Sequence, residues 1–401
     1  MGGLRLLFTG ASVWTNSGYG KPGRFLFPRL ARLGHKIGLC TFYGYQGQLT
    51  PIDVCGETIM MYPPAINPHF NDIIELHAAH FNADAVITFQ DVWTLRKWGE
   101  KNIPWYPRTI IDTHPISQIV LDSIAGSVMP LAETKWGLRE LRDNGWDNAR
   151  WMPHGVDTAL YAQRDKAESR RKAKLPETGF LAGMVAANAS YPSRKNFPEV
   201  LLAWQRWIDG GGKGQLYIHA TISHKGTDRS GGIDFETLLD TMHLKWATVD
   251  DPEHERVAEA DVLFPAQHRY WVGKHSDDDL ADVYNSLDVL LAPSAAEGFG
   301  IPLVEAQACE VPVVTLNVTA MPENTFGGVC IEPVQMQWEA EGGWRGACPV
   351  AELVDVIEQF ATMPDDEHAA MGKAARAGAV YFDWDNLVEN HWIPFFEEIA
   401  Q

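Results

Sequence analysis

The chain has 401 residues, 45% hydrophobic and 21% charged; that composition excludes disorder, and at roughly 100 to 200 residues per domain the length predicts two domains. No run of about 18 apolar residues occurs and no charged-then-apolar leader opens the chain, so neither stable membrane insertion nor secretion is expected and the cytoplasm is the expected compartment. The net charge of −19 is uneven: residues 1–155 sum to +1, residues 156–401 to −20, and Arg5, Lys21, Arg24, Arg29, Arg32 and Lys36 all precede the first acid, Asp53.

In chain order, Leu4 to Thr9 reads as a short buried strand, followed by a Gly-rich turn from Gly10 to Gly20 and an apolar-periodic helix from about Pro22 to Leu33. Lys36 to Phe42 is a second strand, and Ala85–Phe89, Thr109–Asp112 and Ser127–Leu131 are further ones. A strand followed by a helix and another strand predicts a parallel, Rossmann-like sheet. The alternation restarts at Gly179–Val185 and continues through Leu216–His219, Val289–Ala292 and Val311–Thr315, which predicts a second such sheet. The Pro/Gly turn and charged stretch between Gly155 and Arg170 mark the boundary, whereas Thr221 to Arg269 is charged and poorly periodic. Five cysteines (Cys40, Cys55, Cys309, Cys330, Cys348) with no close pairing point to reduced thiols and away from a structural zinc site.

The segment Glu297-Gly298-Phe299-Gly300-Ile301-Pro302-Leu303-Val304-Glu305 follows an apolar strand and opens a helix running to about Cys309. Its glycines allow close approach of backbone N–H groups to a ligand, and a helix N-terminus favours a phosphate. Both carboxylates can face one crevice. The alternative from spacing alone makes Glu297 a helix cap and Glu305 a solvated position. Two formal D-x-D patterns, Asp277-Asp278-Asp279 and Asp383-Trp384-Asp385, read as an acidic helix start after Ser276 and a helix lead-in.

The stretch Ala292 to Cys309 resembles the E-x7-E block of retaining glycosyltransferase family four. The resemblance implies an α/β GT-B fold: two Rossmann-like domains facing a cleft, here 1–160 on the acceptor side and 161–380 for the nucleotide sugar, with a terminal helix, 381–401, crossing back onto the first. It implies Glu297 near the donor hexose hydroxyls, the amides of Gly298, Phe299, Gly300 and Ile301 near sugar and phosphate, and Glu305 on the ribose. Glu310 departs from the pattern, standing where the family has Gly. Met152 to Thr158 resembles the interdomain connection, with Pro153 and Gly155 setting its turn. Ser193-Arg194-Lys195-Asn196-Phe197 resembles the diphosphate clamp, with Lys195 and Arg194 offsetting the leaving charge. Asn188 stands where many relatives carry an arginine and is counted with the donor-binding residues.

By the same resemblance, the loop through Asn16, Ser17, Gly18, Tyr19 and Gly20 approaches the donor phosphate (Gly18) and the acceptor (Ser17, Tyr19), and His114 touches the transferred sugar. A plain turn and a structural histidine are the alternatives. Lys21 and Arg24, on the helix behind the loop, could meet a phosphate-bearing acceptor such as hydroxymethylated DNA or an anionic lipid head group, or form a solvated face. The expected activity is hexose transfer with retention from a nucleotide-diphosphate sugar, a UDP-sugar first, with no metal or other cofactor. The acceptor stays open among glycan, small molecule, protein, lipid and modified DNA. A nucleotide-sugar epimerase and a non-catalytic binding protein remain the readings of another class.

Overall fold

A computed structural model describes residues 3–15, 17–42, 47–189, 192–222, 232–340 and 342–401; Asn16 of the Gly-rich loop and part of the stretch after Thr221 lie outside them. Two compact units result: Met1–Asp157 with Trp338–Trp344 and Phe382–Gln401, and Thr158–Gln337 with Arg345–Tyr381.

The first unit is built on β1 (Arg5–Gly10), β2 (Lys36–Thr41), β3 (Thr50–Val54), β4 (Glu57–Tyr62), β5 (Ala85–Phe89), β6 (Trp105–Thr109), β7 (Leu131–Ala132) and β8 (Arg150–Trp151), in the order β3-β4-β2-β1-β5-β6-β7-β8. All pairings are parallel except the hairpin β3-β4 at one edge. Near-continuous burial of β1 and β5 follows from helices covering both faces. The strand expected at Thr109–Asp112 lies instead at Trp105–Thr109, across Pro107. A proline argues against a central strand. Here the ladder to β5 runs from Val86–Trp105 to Thr88–Pro107, and the ladder to β7 begins only at Arg108, beyond the missing N–H. Likewise the strand expected at Ser127–Leu131 is reduced to Leu131–Ala132.

The C-terminal segment packs into the first unit's core: Trp384, Val388, Trp392, Phe395 and Phe396 are buried with Phe8, Leu26, Phe27, Leu30 and Phe89. Gly155 is needed there for room, since a Cβ on it would lie 2.2 Å from the Trp384 ring; its φ is not in the left-handed region, so the turn argument gives way to a packing one.

The second unit carries β9 (Phe180–Val185), β10 (Gly214–His219), β11 (Trp246–Thr248), β12 (Val262–Phe264), β13 (Val289–Leu291), β14 (Val313–Leu316) and β15 (Gly328–Ile331), ordered β11-β12-β10-β9-β13-β14-β15 and parallel throughout. The strand order reverses between β9 and β13. In open parallel sheets that switch point leaves a crevice at the carboxyl ends of the two strands. Two short strands, β11 at the sheet edge and β12 beside it, come from the poorly periodic stretch, and Glu310 holds a left-handed φ of 62° just before β14, the conformation that favours glycine. No described helix is long and apolar enough to cross a membrane.

Candidate functional site

The switch point of the second unit is where the loop after β9 meets the loop after β13. Asn196 adopts φ 53° ahead of the helix Phe197–Asp209, and its side-chain amide donates to the Pro293 carbonyl at 2.7 Å. Ala295 N–H donates to the Arg194 carbonyl at 2.8 Å, so the two loops are stitched backbone to backbone. Asparagine is among the few residues that enter the left-handed region cheaply, which explains its place in this sharp turn. Sequence reasoning missed Asn196 as a positioning residue, although Asn before an apolar helix is a recognisable signal.

On the other side, Gly300 sits at φ 82° and starts the helix Ile301–Ala308, with Pro302 in its first turn. Asn324, fully buried, donates to the Phe299 carbonyl at 2.6 Å, and Gln307 donates to the Asn324 carbonyl at 2.7 Å. These two amides fix the Gly298–Gly300 loop from below. Nothing in their local sequence marked them.

Onto this frame Lys195 and Arg194 converge on Glu297. Lys195 Nζ is paired with Oε1, Arg194 Nη1 lies 3.1 Å from Oε2 and also donates to the Ala296 carbonyl, and Glu297 N–H donates to Thr319 Oγ1 at 3.1 Å. Burial of Glu297 alone would raise its pKa. The charges of Lys195 and Arg194, with hydrogen bonds from Lys195 and Ser294, outweigh it and hold the carboxyl at about 2. Met184, Lys195, Ser294, Glu297, Gly300 and Leu303 line one pocket at this place. Glu297 is therefore no helix cap; Gly300 occupies that position.

Glu305 is 2% exposed and accepts from Tyr284 Oη at 2.8 Å, which rules out the solvated-face reading. Burial first, then the Glu305 charge, pushes the Tyr284 hydroxyl far above its ordinary range, so it remains a donor. Asn188 is corrected more strongly. Its amide donates to the Thr221 and Ile233 carbonyls (3.2 and 2.7 Å) and accepts from Ile233 N–H (2.7 Å). With the side chain 3% exposed and used at both ends, Asn188 fastens chain rather than offering itself to a donor.

In the first unit, Ser17, Gly18 and Tyr19 form a turn leading into the helix Lys21–Arg32, with Lys21 at its first position and Arg24 donating to the Thr15 carbonyl at 3.3 Å. The basic segment is largely engaged: Arg29 pairs with Asp385 (2.6 Å) and Asp157 (3.7 Å), Arg32 with Glu57 (3.5 Å), and the Arg5 guanidinium lies over the Phe81 ring at 4.7 Å. Acids from elsewhere in the chain neutralise Arg29 and Arg32, which narrows the basic patch. His114 follows β6 by several residues rather than directly; its imidazole is 68% exposed and Nδ1 lies 2.9 and 3.0 Å from the two oxygens of Glu140. That contact places the proton on Nδ1 and leaves Nε2 as an acceptor in the neutral ring.

The D-x-D patterns serve helices. Asp279 closes a capping box with Ser276 and pairs with Arg269, and Asp383 caps Asp385 N–H at 2.9 Å. Among the described residues no group of three or more His, Cys, Asp or Glu is placed to hold a metal ion.

Residues 251–377, which include both carboxylates of the switch-point loop, match the family model for glycosyl transferases group 1. The fold is GT-B. Sucrose-phosphate synthase from Thermosynechococcus elongatus superposes with a TM-score of 0.71 at 16% identity, over 99% of each chain. A trehalose-6-phosphate structure from E. coli, bound with UDP-2-fluoro glucose, gives 0.67 at 14%, again over 99% of each. By sequence, a D-inositol 3-phosphate glycosyltransferase of Segniliparus rotundus is 26% identical over 238 residues, 58% of this chain and 43% of that protein. The chain spans less than half the length of this relative.

Proposed function

We propose that the protein moves a hexose from a nucleotide-diphosphate sugar, a UDP-sugar first, to an acceptor hydroxyl with retention of configuration. The observation that carries this reading is the convergence of Lys195 and Arg194 on Glu297 beside the N-terminus of Ile301–Ala308. In the free protein, cation and carboxylate satisfy each other. On donor binding the cations turn to the diphosphate and Glu297 accepts from hexose hydroxyls, so the two internal ion pairs are exchanged for contacts with substrate. The bond from the anomeric carbon to the phosphate oxygen breaks as the acceptor oxygen bonds to the same face, and the hydroxyl proton leaves with the diphosphate. Lys195, Arg194 and the first amides of the helix stabilise charge that grows as the diphosphate departs. Glu305 accepts from the ribose hydroxyls. The named ligand of the E. coli neighbour supports a uridine donor.

The test is turnover of UDP-glucose and other nucleotide sugars against candidate acceptors. Lys195→Ala is expected to lower turnover at saturating donor about a hundredfold or more, with Lys195→Arg restoring part of it. Near-normal turnover in the alanine variant would remove the clamp from this place. Release of free nucleoside diphosphate only when acceptor is present separates transfer from epimerisation and from binding alone.

A further inference from the structure

The hairpin of Gln335–Trp338 and Trp344–Ala347 was not foreseen from sequence. Its tip, Trp338–Trp344, belongs to the first unit, where Trp344 N–H donates to the His114 carbonyl at 2.8 Å in an antiparallel bridge. Residues opposed in such a bridge project their side chains to the same face, with Cβ atoms about 4.5 to 5.5 Å apart. Trp344 therefore stands beside His114, and the Trp338 ring meets Trp344 edge-on at 5.2 Å. The two indoles are 55% and 41% exposed. The tip is seated tightly: a Cβ on Gly343 would lie 2.2 Å from Thr113 Cβ.

The two indoles, in contact with each other and exposed beside the imidazole, present an apolar face with a polar edge. We propose that Trp338 and Trp344 form the stacking platform for a sugar ring of the acceptor, with His114 at its polar edge. A pyranose has a face of C–H bonds, which suits an indole, and a rim of hydroxyls. His114 Nε2, set as an acceptor by Glu140 on Nδ1, takes one of those hydroxyls. A lipid chain or an apolar protein side chain would instead cover the imidazole Nε2 without giving it a partner, at a cost. Placement supports the same occupant: His114 lies on the loop after β6, at the carboxyl edge of the first sheet, and that edge also carries exposed Trp14 after β1 and Trp93 after β5. Naming the sugar as acceptor rests on the transferase reading above; the platform itself does not.

The experiment applies the full chain, with UDP present, to a printed array of neutral glucosides, galactosides, mannosides and N-acetylglucosaminides, with UDP binding followed separately by calorimetry. Wild type is expected to bind a subset of these sugars. Trp344→Ala and Trp338→Ala are expected to lose that binding tenfold or more, and Trp344→Phe to keep most of it, with UDP affinity and melting temperature unchanged throughout. Alanine variants that bind sugars like wild type would overturn the platform, and so would a wild type that binds UDP and no sugar on the array; either result leaves the donor reading standing. Tryptophan-dependent sugar binding without any UDP binding would support the platform and sink the transferase reading.

Discussion

Replacing Lys195 by methionine keeps most of its apolar stem and removes one of the two cations on Glu297. In the folded protein Glu297 titrates at about 2, against an ordinary value of 4.5. At about 1.4 kcal/mol per pH unit, that difference corresponds to about 3 kcal/mol of preference for the folded, ionised state. The side chain is only 12% exposed, so screening removes little of it. Arg194 remains at 3.1 Å, so the loss should stay below the roughly 3 to 5 kcal/mol of a fully broken buried pair. We expect about 2 kcal/mol at neutral pH. The sign follows from a depressed carboxyl pKa: the stabilisation is complete above pH 4.5 and is lost as pH falls through about 2. Denaturant unfolding of the second unit in wild type and Lys195→Met should therefore show a gap that shrinks to a few tenths of a kcal/mol near pH 2. In a Glu297→Gln background the gap should nearly vanish at all pH values. An equal gap at pH 7 and about pH 2.5 would refute the reasoning and assign the contribution of Lys195 to packing alone.

The buried Arg108–Glu133 pair, 2% and 8% exposed with Nη2 2.9 Å from Oε1, makes Glu133→Ala costly: about 3 to 5 kcal/mol in unfolding of the first unit is expected, because a buried guanidinium loses its partner, and a loss under about 1 kcal/mol would count against it. Gly155→Ala should destabilise the docking of the C-terminal helices by about 1 to 3 kcal/mol through the Trp384 clash; an unchanged melting temperature would show that the ring can move aside freely. Tyr284→Phe deprives buried Glu305 of a hydrogen bond, so stability should fall by about 1 to 3 kcal/mol. In that variant calorimetry with UDP should show affinity within about threefold of wild type if Glu305 itself holds the ribose, and a loss as large as that of Glu305→Ala would transfer the role to the tyrosine.

Strand and helix alternation, the two-sheet architecture and the loop Glu297–Glu305 were legible in the sequence because each is a local pattern. Apolar runs announce buried strands, and glycine and proline announce the sharp start of a helix. The partners of those residues were not legible. That Lys195 and Arg194 meet Glu297 depends on a strand-order reversal that brings positions about a hundred residues apart to one crevice. The same holds for Asn188, whose short polar side chain suits a ligand and a chain fastener equally, and for Arg29 and Arg32, whose neutralising acids lie far along the chain or at its other end. Local sequence fixes what a residue can offer; only the tertiary arrangement decides to whom, because burial, charge pairing and hydrogen bonding act over ångströms in space and are blind to distance along the chain.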